Sequence, residues 1–443
     1  MVPRNGGLHD TRCCCHHQTL ETLSTQIPDW LILEHDVATI LTEQEIHGWY
    51  FDEPAAWQLE STLRGELEEL NQLLRNRYPY VAGAEFTPKR PNKTQGYVFV
   101  DGKGATFTRL KEFNPTSRDH IAWVMKTHHG WEPKERTASG KAVIDEVVLK
   151  DIGSEEALQF FRCLELTKQL GMLSEGINGW LKLVRNHRIH HHCSVATNTF
   201  RCAHRKPNLA QVPSDEAFRK LFKASPGYVM VGADLSGIEL RMLAHYLARY
   251  DGGRYADVLL NGDIHQENAD KIGISRRLVK TVTYAFLYGA GDAKIGLSYD
   301  PQLSSSAAKK KGAEIRQAYM DAIPGLEKLV NAVKSKAECG HINLCDGRRC
   351  AVDGSHKALN YLLQGSAGII AKRWMKIAND GLQSHTHQLA FIHDELQYET
   401  TPDRAEFLKH YLERCAESAG EYYNLRIAIN AEGKIGSTWA DVH

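Results

Sequence analysis

The stretch YVMVGADLSGIELRMLAHY (residues 228–246) sets an apolar segment directly before a polar turn and an amphipathic helical pattern. Its β-branched and apolar residues predict a buried strand that ends at the acidic residue Asp234. We expect Ser236 to cap the following helix, because a serine hydroxyl can accept a hydrogen bond from the first helical turn. A second acid, Asp394, lies at the turn of a predicted hairpin, LAFIHDELQYE (residues 389–399). Each acid therefore sits at a strand end, where rigid backbone can hold it towards a cleft.

Helical patterns fill most of the remaining chain. Apolar residues at three- and four-residue spacing predict two consecutive helices near the start, with Gly48 between them, and further helices before and after residues 228–246. A hairpin is predicted for HINLCDGRRCAV (residues 341–352). The helical patterns cover residues 29–51, 53–78, 154–183, the region from the end of the strand at Asp234 to about residue 338, and 358–378.

The composition excludes several classes of protein. The chain has 443 residues with 54 Lys and Arg against 54 Asp and Glu, and 42% of its residues are hydrophobic. Collagenous, disordered and coiled-coil proteins have different compositions, and this length predicts two or three structural units. No window approaches the roughly 18 apolar residues that cross a bilayer, and no signal-peptide core is present. We expect a soluble, cytoplasmic protein without a membrane partner.

Two runs of cysteine and histidine invite a metal-binding interpretation. We expect residues 1–30 to form a flexible tail, and residues 13–17 within it read CCCHH. Contiguous ligands cannot readily wrap a tetrahedral ion, and no second pair follows at zinc-finger spacing. We interpret the run HHHC (residues 190–193) as incidental and solvated. Without a secretion signal, the ten cysteines are expected to be reduced thiols.

A proline- and glycine-rich segment at about residues 78–112 interrupts the helical pattern and is predicted to be a short hairpin insertion. Seven basic and two acidic residues between Phe86 and Arg118 favour contact with a polyanion. A solvated charged loop is the alternative. The basic residues are Lys89, Arg90, Lys93, Lys103, Arg109, Lys111 and Arg118, against Asp101 and Glu112.

Asp234 and Asp394 together suit metal-dependent phosphoryl transfer. Such a site needs two carboxylates that can bridge two divalent ions about 3.5–4 Å apart. A single aspartate after a strand is more often a helix cap or a turn residue, so other residues must decide.

One helical pattern supplies further residues that suit phosphoryl transfer. In RRLVKTVTYAFLYGAG (residues 276–291), a cation or an aromatic ring recurs every fourth residue, each about 40° further round the helix. Two cations one turn apart suit a triphosphate, and two rings suit a base and a sugar. The alternative is an amphipathic helix whose cationic stems lie along apolar surface. The four residues are Arg276, Lys280, Tyr284 and Tyr288, and His265 in the preceding NGDIH adds a phosphate contact.

These segments resemble the polymerase region of family A DNA polymerases, the DNA polymerase I family, and most of all the replicative polymerases of short-tailed bacteriophages. DLSGIELRMLAHY resembles motif A, NGDIH with RRLVKTVTYAFLYGAG resembles motif B, and FIHDELQ resembles motif C. PNLAQVP, DGRR, LNYLLQGSAG and the terminal WADVH also resemble family segments. The resemblance covers the chain from about Asp29 to His443.

The resemblance implies a role for each matching residue. Asp234 and Asp394 would hold two Mg²⁺ ions, which Mn²⁺ could replace, with the Leu235 carbonyl as a further ligand. Phosphate contacts would come from His265, Arg276 and Lys280, and Lys280 would also protonate pyrophosphate. Tyr284 would stack near the sugar and base and tolerate dideoxynucleotides. Glu239 would pair with Tyr288 and crowd the ribose 2′ position. Primer or template contacts would come from Arg201, Asn360, Gln364 and His393.

The resemblance also implies an α+β, right-hand architecture that binds primer–template DNA and dNTPs. The expected parts are a helical thumb over 31–190, a palm over 191–250 and 341–443 around an antiparallel sheet, and helical fingers over 251–340. A primer 3′-hydroxyl would attack the α-phosphate of a dNTP and release pyrophosphate, in bacteriophage DNA replication.

Three departures from the family pattern limit these expectations. Phe200 stands where the family has a glycine before Arg201, which weakens the placement of Arg201. No room remains for a 3′–5′ exonuclease domain, so proofreading would be absent or supplied by a separate exonuclease, and a replicative helicase is another expected partner. The insertion at 78–112 is shorter than the thioredoxin-binding segment of a well-known phage member, so dependence on thioredoxin is not expected.

Two other functions stay open at this point. A single-subunit RNA polymerase shares the palm and the Lys-to-Tyr helix, but Glu239 with Tyr288 argues against it. A non-catalytic DNA-binding or processivity protein would not need both aspartates with the complete cationic and aromatic face.

Overall fold

The computed structural model describes residues 27–92, 94, 96–97, 99–100, 103–195, 197–301 and 303–443. Most of the predicted tail, including the run at 13–17, lies outside the described residues, as do Lys93 and Asp101 of the insertion. Only the backbone of Lys103 is described.

Helices dominate the fold, and none among the described residues is long and apolar enough to cross a membrane. The helices are α1 (Asp29–His47), α2 (Glu53–Arg77), α3 (Arg118–His129), α4 (Glu146–Ile152), α5 (Glu155–Leu170), α6 (Trp180–Leu183), α7 (Glu216–Arg219), α8 (Ile238–Asp251), α9 (Arg254–Asn261), α10 (Ile264–Ile272), α11 (Arg276–Leu287), α12 (Asp292–Tyr299), α13 (Ser305–Ala322), α14 (Leu326–Ala337), α15 (Ala358–Asp380), α16 (Ala405–Tyr422) and α17 (Trp439–Val442).

The strands form one four-stranded sheet and several smaller ones. The large sheet has the order β13-β14-β10-β15 and is antiparallel at every pairing. The strands are β1 (Trp49–Phe51), β2 (Tyr80–Phe86), β3 (Phe99–Val100), β4 (Lys103–Gly104), β5 (Phe107–Glu112), β6 (Arg188–Ile189), β7 (His192–Ser194), β8 (Ala203–Arg205), β9 (Phe222–Lys223), β10 (Val229–Leu235), β11 (His341–Asn343), β12 (Arg349–Ala351), β13 (His387–Ile392), β14 (Glu395–Thr400) and β15 (Ala431–Gly436).

The described chain forms two compact units. One contains residues up to Phe51 together with Arg185–His443, and the other contains Asp52–Val184. The second unit has its own core, in which Leu74, Phe113 and Phe160 are buried. The predicted insertion is a hairpin in this unit, with β2 paired to β5. The boundaries predicted for thumb, palm and fingers stay predictions.

The four-stranded sheet lies in the core of the first unit. Val231, Leu396 and Tyr398 of its strands are buried together with Trp374 of α15 and Leu412 of α16. Burial of these side chains stabilises the position of strand β10 in the sheet. Each fully buried large apolar side chain contributes about 1.5–3 kcal/mol to the free energy of folding. The predicted strand at 228–234 and the hairpin at 389–399 are both confirmed.

Two local predictions differ from the structure. Gly237, not Ser236, occupies the N-cap of α8, and it has a left-handed backbone with φ +55°. Ser236 is held elsewhere, because its N–H donates to the Asn430 carbonyl and its own carbonyl accepts from Arg241 Nε. Helix α11 ends at Leu287, so Tyr288 follows the helix as its C-cap instead of continuing it.

The run at 190–193 also differs from its interpretation. His191 is fully buried, whereas a solvated histidine run would be exposed. Contacts from α1 on both sides account for this, since His190 Nδ1 lies 2.8 Å from the Glu45 carbonyl and His192 Nδ1 lies 2.7 Å from Glu45 Oε2.

Helices α12 and α13 approach each other closely at two glycines, Gly296 and Gly312. A methyl group at Gly312 would overlap the Asp292 carbonyl, so we expect Gly312→Ala to lower the free energy of unfolding by about 1–3 kcal/mol. Gly291→Ala is the matched control, because its Cβ would meet no atom within 4 Å. Chemical denaturation of both variants measures this, and equal stabilities would contradict the packing described here.

Candidate active site

The two predicted aspartates lie side by side in the large sheet. Strand β10 pairs with β14 so that Asp234 faces Glu395 across the ladder. The Leu235 N–H donates to the carbonyl of Asp394, with an N···O distance of 3.0 Å. Sheet pairing therefore brings together two acids that are separated by 160 positions in the chain.

Asp394 is presented by a tight turn between β13 and β14. The preceding residue, His393, has φ +60°, a backbone conformation that a non-glycine residue adopts only where its surroundings impose it. His393 Nδ1 is buried without a hydrogen-bond partner, and its ring lies 6.0 Å from that of His204. The turn thus places His393 beside Asp394, at the end of two buried strands.

Both aspartates are difficult to ionise in the absence of a cation. The pKa of Asp234 is raised to about 7, first by desolvation of its carboxyl and then by the negative charge of Asp394. Desolvation, followed by the charge of Glu239, raises the pKa of Asp394 to about 6, and Arg201 opposes this shift. Asp234 remains open to solvent on one side. The arrangement concentrates negative charge that a bound cation would relieve.

Removing the charge of Asp234 should stabilise the metal-free protein. A carboxyl whose pKa is raised on folding costs stability as pH rises from its unfolded value of 3.8 to about 7. We therefore expect Asp234→Asn to melt several degrees above wild type at pH 8 and to lose most of this advantage at pH 4. Melting curves across pH without divalent ions measure the effect, with exposed Asp151→Asn of α4 as control. A pH-independent difference would contradict this charge penalty.

A third acid, Glu395, lies in the segment that resembles motif C, but the sequence assigned it no role. Its buried carboxylate accepts hydrogen bonds from Trp439 Nε1 at 2.7 Å and from Gln397 Nε2, and it lies 3.0 Å from His443 Nδ1. It therefore ties the C-terminal helix α17 to the strand that pairs with Asp234. Its position directly after Asp394 was the available signal.

Glu239 joins three of the predicted residues. It lies in the first turn of α8, is buried, and forms an ion pair with Arg201. The Tyr288 hydroxyl donates to Glu239 Oε1 at 3.4 Å. Asn360 Nδ2 in turn donates to the Tyr288 carbonyl at 3.4 Å. Residues from four separate segments thus meet around Glu239 and Tyr288, and the charges of Glu239 and Arg201 shift the pKa of Asp394.

Phe200 keeps the backbone conformation that a glycine would favour. Its φ is +57°, and its ring lies 4.9 Å from the Arg348 guanidinium carbon in a cation–π contact. The turn therefore survives the replacement of glycine by a bulky ring, and Arg201 reaches Glu239 from it. A Cβ on Gly368 of α15 would lie 3.4 Å from Arg201 Cγ, so α15 passes close behind this arginine.

Three residues of the predicted cationic and aromatic face, Arg276, Lys280 and Tyr284, lie on α11, and Tyr288 follows as its C-cap. Tyr284 and Tyr288 stack with their ring centres 6.3 Å apart, and the ring of His265 lies 6.4 Å from that of Tyr284. Arg276 Nε donates to Asp263 at 2.7 Å. Lys280 is exposed and, among the described residues, makes no ion pair. Burial, and secondarily the charges of Arg276 and Lys280, lower the pKa of His265, although Asp263 opposes them.

Gln364 lies on α15, one turn after Asn360, and both side chains are partly exposed. Gln364 is placed on the same helix as Gly368, which faces Arg201. The structure thus brings the predicted residues into one region, although no direct contact joins Gln364 to the aspartates.

An antiparallel sheet with two adjacent aspartates at one end, beside a helix that carries Arg276, Lys280 and Tyr284 and is followed by Tyr288, defines a nucleic acid polymerase. The model of DNA polymerase family A matches residues 102–441, and this chain belongs to that family.

Relatives and a solved structure agree with this assignment. The chain is 30% identical to the DNA-directed DNA polymerases of Enterobacteria phage T3 and Escherichia phage T7, over 93% of this chain and 70% of each phage protein. It is 28% identical to DNA polymerase I of Bacillus caldotenax, over 92% of this chain and 46% of that protein. The POL domain of Pol1 from M. smegmatis, in complex with DNA primer-template and dNTP, matches with a TM-score of 0.72 at 22% identity, over 92% of this chain and 70% of that one. The protein is a DNA-directed DNA polymerase, and its predicted α+β right-hand fold is confirmed.

Proposed function

We propose that this polymerase extends a primer 3′-hydroxyl with dNTPs by a two-metal-ion nucleotidyl transfer centred on Asp234 and Asp394. The observation that carries the proposal is the adjacency of these acids through the bond from the Leu235 N–H to the Asp394 carbonyl. The exposed Lys280 and the two stacked tyrosines line the neighbouring helix. Acids that bind cations beside groups that bind a triphosphate are the parts that phosphoryl transfer needs.

The donor set fits Mg²⁺. Asp234, Asp394 and the Leu235 carbonyl offer only oxygen atoms, which hard divalent cations prefer. The raised pKa values of both aspartates support the fit, because a nearby cation would favour their ionised forms. When bound, two Mg²⁺ ions would lower the pKa of the primer hydroxyl and neutralise charge on the transferred phosphate. Mn²⁺ prefers the same oxygen ligands and could substitute.

Arg276, Lys280 and His265 would bind the phosphates of the incoming nucleotide. Arg276 already holds a carboxylate, Asp263, and a triphosphate would compete for the same guanidinium. Lys280 lies one turn further along α11 and would donate a proton to the leaving pyrophosphate. Tyr284 would pack near the sugar and base, where its hydroxyl favours acceptance of dideoxynucleotides.

Glu239 and Tyr288 would select the sugar. The Tyr288 hydroxyl contacts buried Glu239, and a ribose 2′-hydroxyl placed against this pair would meet their side chains. Such steric exclusion discriminates against ribonucleotides without any additional favourable contact to the deoxyribose. This arrangement favours a DNA polymerase over a single-subunit RNA polymerase.

Removing the Glu239 side chain should allow ribonucleotides to be incorporated. We expect Glu239→Ala to lower the preference for dNTPs over rNTPs by about 10–200-fold, the range set by one small group in a pocket. Glu239→Gln keeps the volume and is the matched control, because it should keep most of the preference while losing the charge paired with Arg201. Single-nucleotide incorporation kinetics measure both variants. An unchanged preference in Glu239→Ala would contradict the steric role.

Primer–template DNA would contact Arg201, Asn360, Gln364 and His393. The M. smegmatis relative was solved with DNA primer-template and dNTP, and we carry both ligands over to this chain. Asn360 and Gln364 lie one turn apart on α15, so both amides can reach minor-groove acceptors that all base pairs share. Such contacts bind DNA without reading its sequence.

We also propose a thumb near residues 31–190, fingers near 251–340, and a palm formed by 191–250 and 341–443. The likeness to the phage T3 and T7 polymerases supports a role in bacteriophage DNA replication. A separate exonuclease or replicative helicase as partner, independence from thioredoxin and a cytoplasmic location stay predictions.

Extension of a labelled primer with a mismatched 3′ end tests the proposed reaction and the expected lack of proofreading together. The polypeptide should extend the mismatched end slowly or leave it intact, while it extends a matched end readily. Shortening of the primer would contradict the absence of 3′–5′ excision, and failure to extend the matched end would contradict the polymerase proposal.

A further inference from the structure

The hairpin formed by β7 and β8 carries a buried cluster of metal-ligating side chains that the polymerase reaction does not use. His191, Cys193 and His204 are all buried, and one nitrogen or sulphur atom of each lies within 4.8 Å of those of the other two. Among the residues that the structure describes, they are the one such group of three.

Strand register explains why these side chains meet. Cys193 of β7 pairs directly with His204 of β8, and side chains two positions apart share one face of a strand. His191 comes just before β7 and its ligand atom joins those of Cys193 and His204, whereas Cys202 comes just before β8 and lies outside this group of three. Cys202 is also buried and its thiol is free. The order His-x-Cys, then Cys-x-His, thus supplies three clustered ligands and a buried thiol two residues before His204.

We propose that His191, Cys193, Cys202 and His204 bind one structural Zn²⁺ ion. Two thiolates and two imidazoles are a usual ligand set for tetrahedral zinc. Zinc–ligand bonds of about 2.0–2.3 Å separate neighbouring ligand atoms by about 3.5 Å in such a site. The distance from Cys193 Sγ to His204 Nδ1 is 3.2 Å, close to this separation.

One unpartnered atom points to the same conclusion, because His191 Nδ1 is buried and has no hydrogen-bond partner. His204 Nε2 is also unpartnered, but the nitrogen that lies 3.2 Å from Cys193 Sγ is Nδ1. Buried imidazole nitrogens are normally paired, so each unpartnered one needs an explanation. Ligation of zinc through Nδ1 would satisfy His191.

Gln44 of α1 would orient the ligands from outside. Its Nε2 lies 3.0 Å from His191 Nε2 and 3.7 Å from Cys193 Sγ, and its Oε1 accepts from Gln388 Nε2 at 2.8 Å. The oxygen and nitrogen of an amide are assigned from the network, so Gln44 can accept from a His191 Nε2–H if the amides of Gln44 and Gln388 both turn over. Zinc-bound histidines usually donate their second nitrogen in this way.

The site would brace the polymerase cleft without touching substrate. The chain between β7 and β8 carries Arg201, which pairs with Glu239. The ring of His204 lies 6.0 Å from that of His393, the residue before Asp394. Zinc would thus hold the hairpin that supports both residues.

Zinc content of the purified full chain tests the proposal. After passage over a chelating resin, wild type should retain about one zinc ion per chain by mass spectrometry, and Cys193→Ala should retain almost none. The run at residues 13–17 could also bind metal, so a variant with Cys13, Cys14 and Cys15 changed to serine is the first control. Cys350→Ala removes a buried cysteine outside the cluster and is the second. Both controls should keep their zinc, and loss of zinc from the serine variant alone would overturn the proposal.

Cobalt substitution tests the ligands without relying on the folding of a variant. Wild type loaded with Co²⁺ should show intense visible bands of a tetrahedral ion and a thiolate charge-transfer band, and Cys202→Ala should lose part of the latter. Gln44→Ala should bind about 10–100-fold more weakly. A wild-type protein that binds neither Zn²⁺ nor Co²⁺ with thiolate ligation would overturn the proposal and leave a thiol–imidazole hydrogen bond. An unchanged thiolate band in Cys202→Ala would overturn the assignment of the fourth ligand.

Discussion

Replacing Asp394 with alanine is expected to abolish primer extension, with single-turnover incorporation reduced by at least about 10³-fold. Asp394 and Asp234 are the two acids that the sheet brings together, and desolvation, followed by neighbouring negative charge, raises the pKa of each. Without one of them, the cations that stabilise charge on the transferred phosphate lose a ligand that the remaining groups cannot replace. Rapid-quench kinetics with a labelled primer measure the loss.

The variant Asp151→Ala provides the control, because Asp151 is exposed in the other compact unit. It should extend primers at the wild-type rate. Asp394→Ala should remain folded, since the site loses an acid that is costly to ionise rather than a buried apolar contact. A folded Asp394→Ala protein with a normal rate would contradict the placement of the reaction.

Replacing Lys280 with alanine is expected to slow incorporation by about 10²–10⁴-fold, the range for loss of a positioned general acid or its charge. Lys280 is exposed on α11 and close enough to His265 to lower the pKa of that imidazole. Its cation would therefore be available to the triphosphate. Single-turnover rates at saturating dNTP isolate the chemical step from binding.

Lys310→Ala is the matched control, because Lys310 is exposed on the neighbouring helix α13. It should leave the rate unchanged. Lys280→Arg keeps the charge but is a poorer acid, so it should restore nucleotide affinity more than rate. If Lys280→Ala incorporates nucleotides at the wild-type rate, the phosphate role assigned to this lysine is wrong.

Elements with strong local patterns could be predicted from the sequence. The strand ending at Asp234 and the hairpin around Asp394 have unbroken apolar residues and a clear turn, and both form as expected. The helix that carries Arg276 to Leu287 also forms, since its apolar face buries Val279, Val282 and Phe286.

Features that depend on distant residues could not be predicted. Ser236 does not cap α8, because Asn430 and Arg241 bind its backbone instead. The burial of His191 depends on contacts with α1, which lies about 150 positions earlier in the chain. The sequence of a histidine run is the same whether its side chains face water or the protein core. The local sequence alone therefore could not reveal the cluster with Cys193.

The polymerase cleft also combines features that could be predicted from local sequence with features that depend on distant residues. The sequence resemblance matched Arg201 and Glu239 to separate motifs, but not to each other, and the ion pair joins residues from different elements. Phe200 weakened the expected position of Arg201, yet packing against Arg348 accompanies the left-handed turn. Tertiary contacts thus decide what the local residue preference leaves open.

Template-directed incorporation tests most directly whether this protein is a DNA-directed DNA polymerase. Wild-type protein is mixed with Mg²⁺ and four primer–templates that differ only in the first templating base, each offered one dNTP or one rNTP at a time. Each template should direct addition of its complementary dNTP, and rNTPs should be added poorly. Absence of extension, addition that ignores the template, or equal use of rNTPs would contradict this assignment.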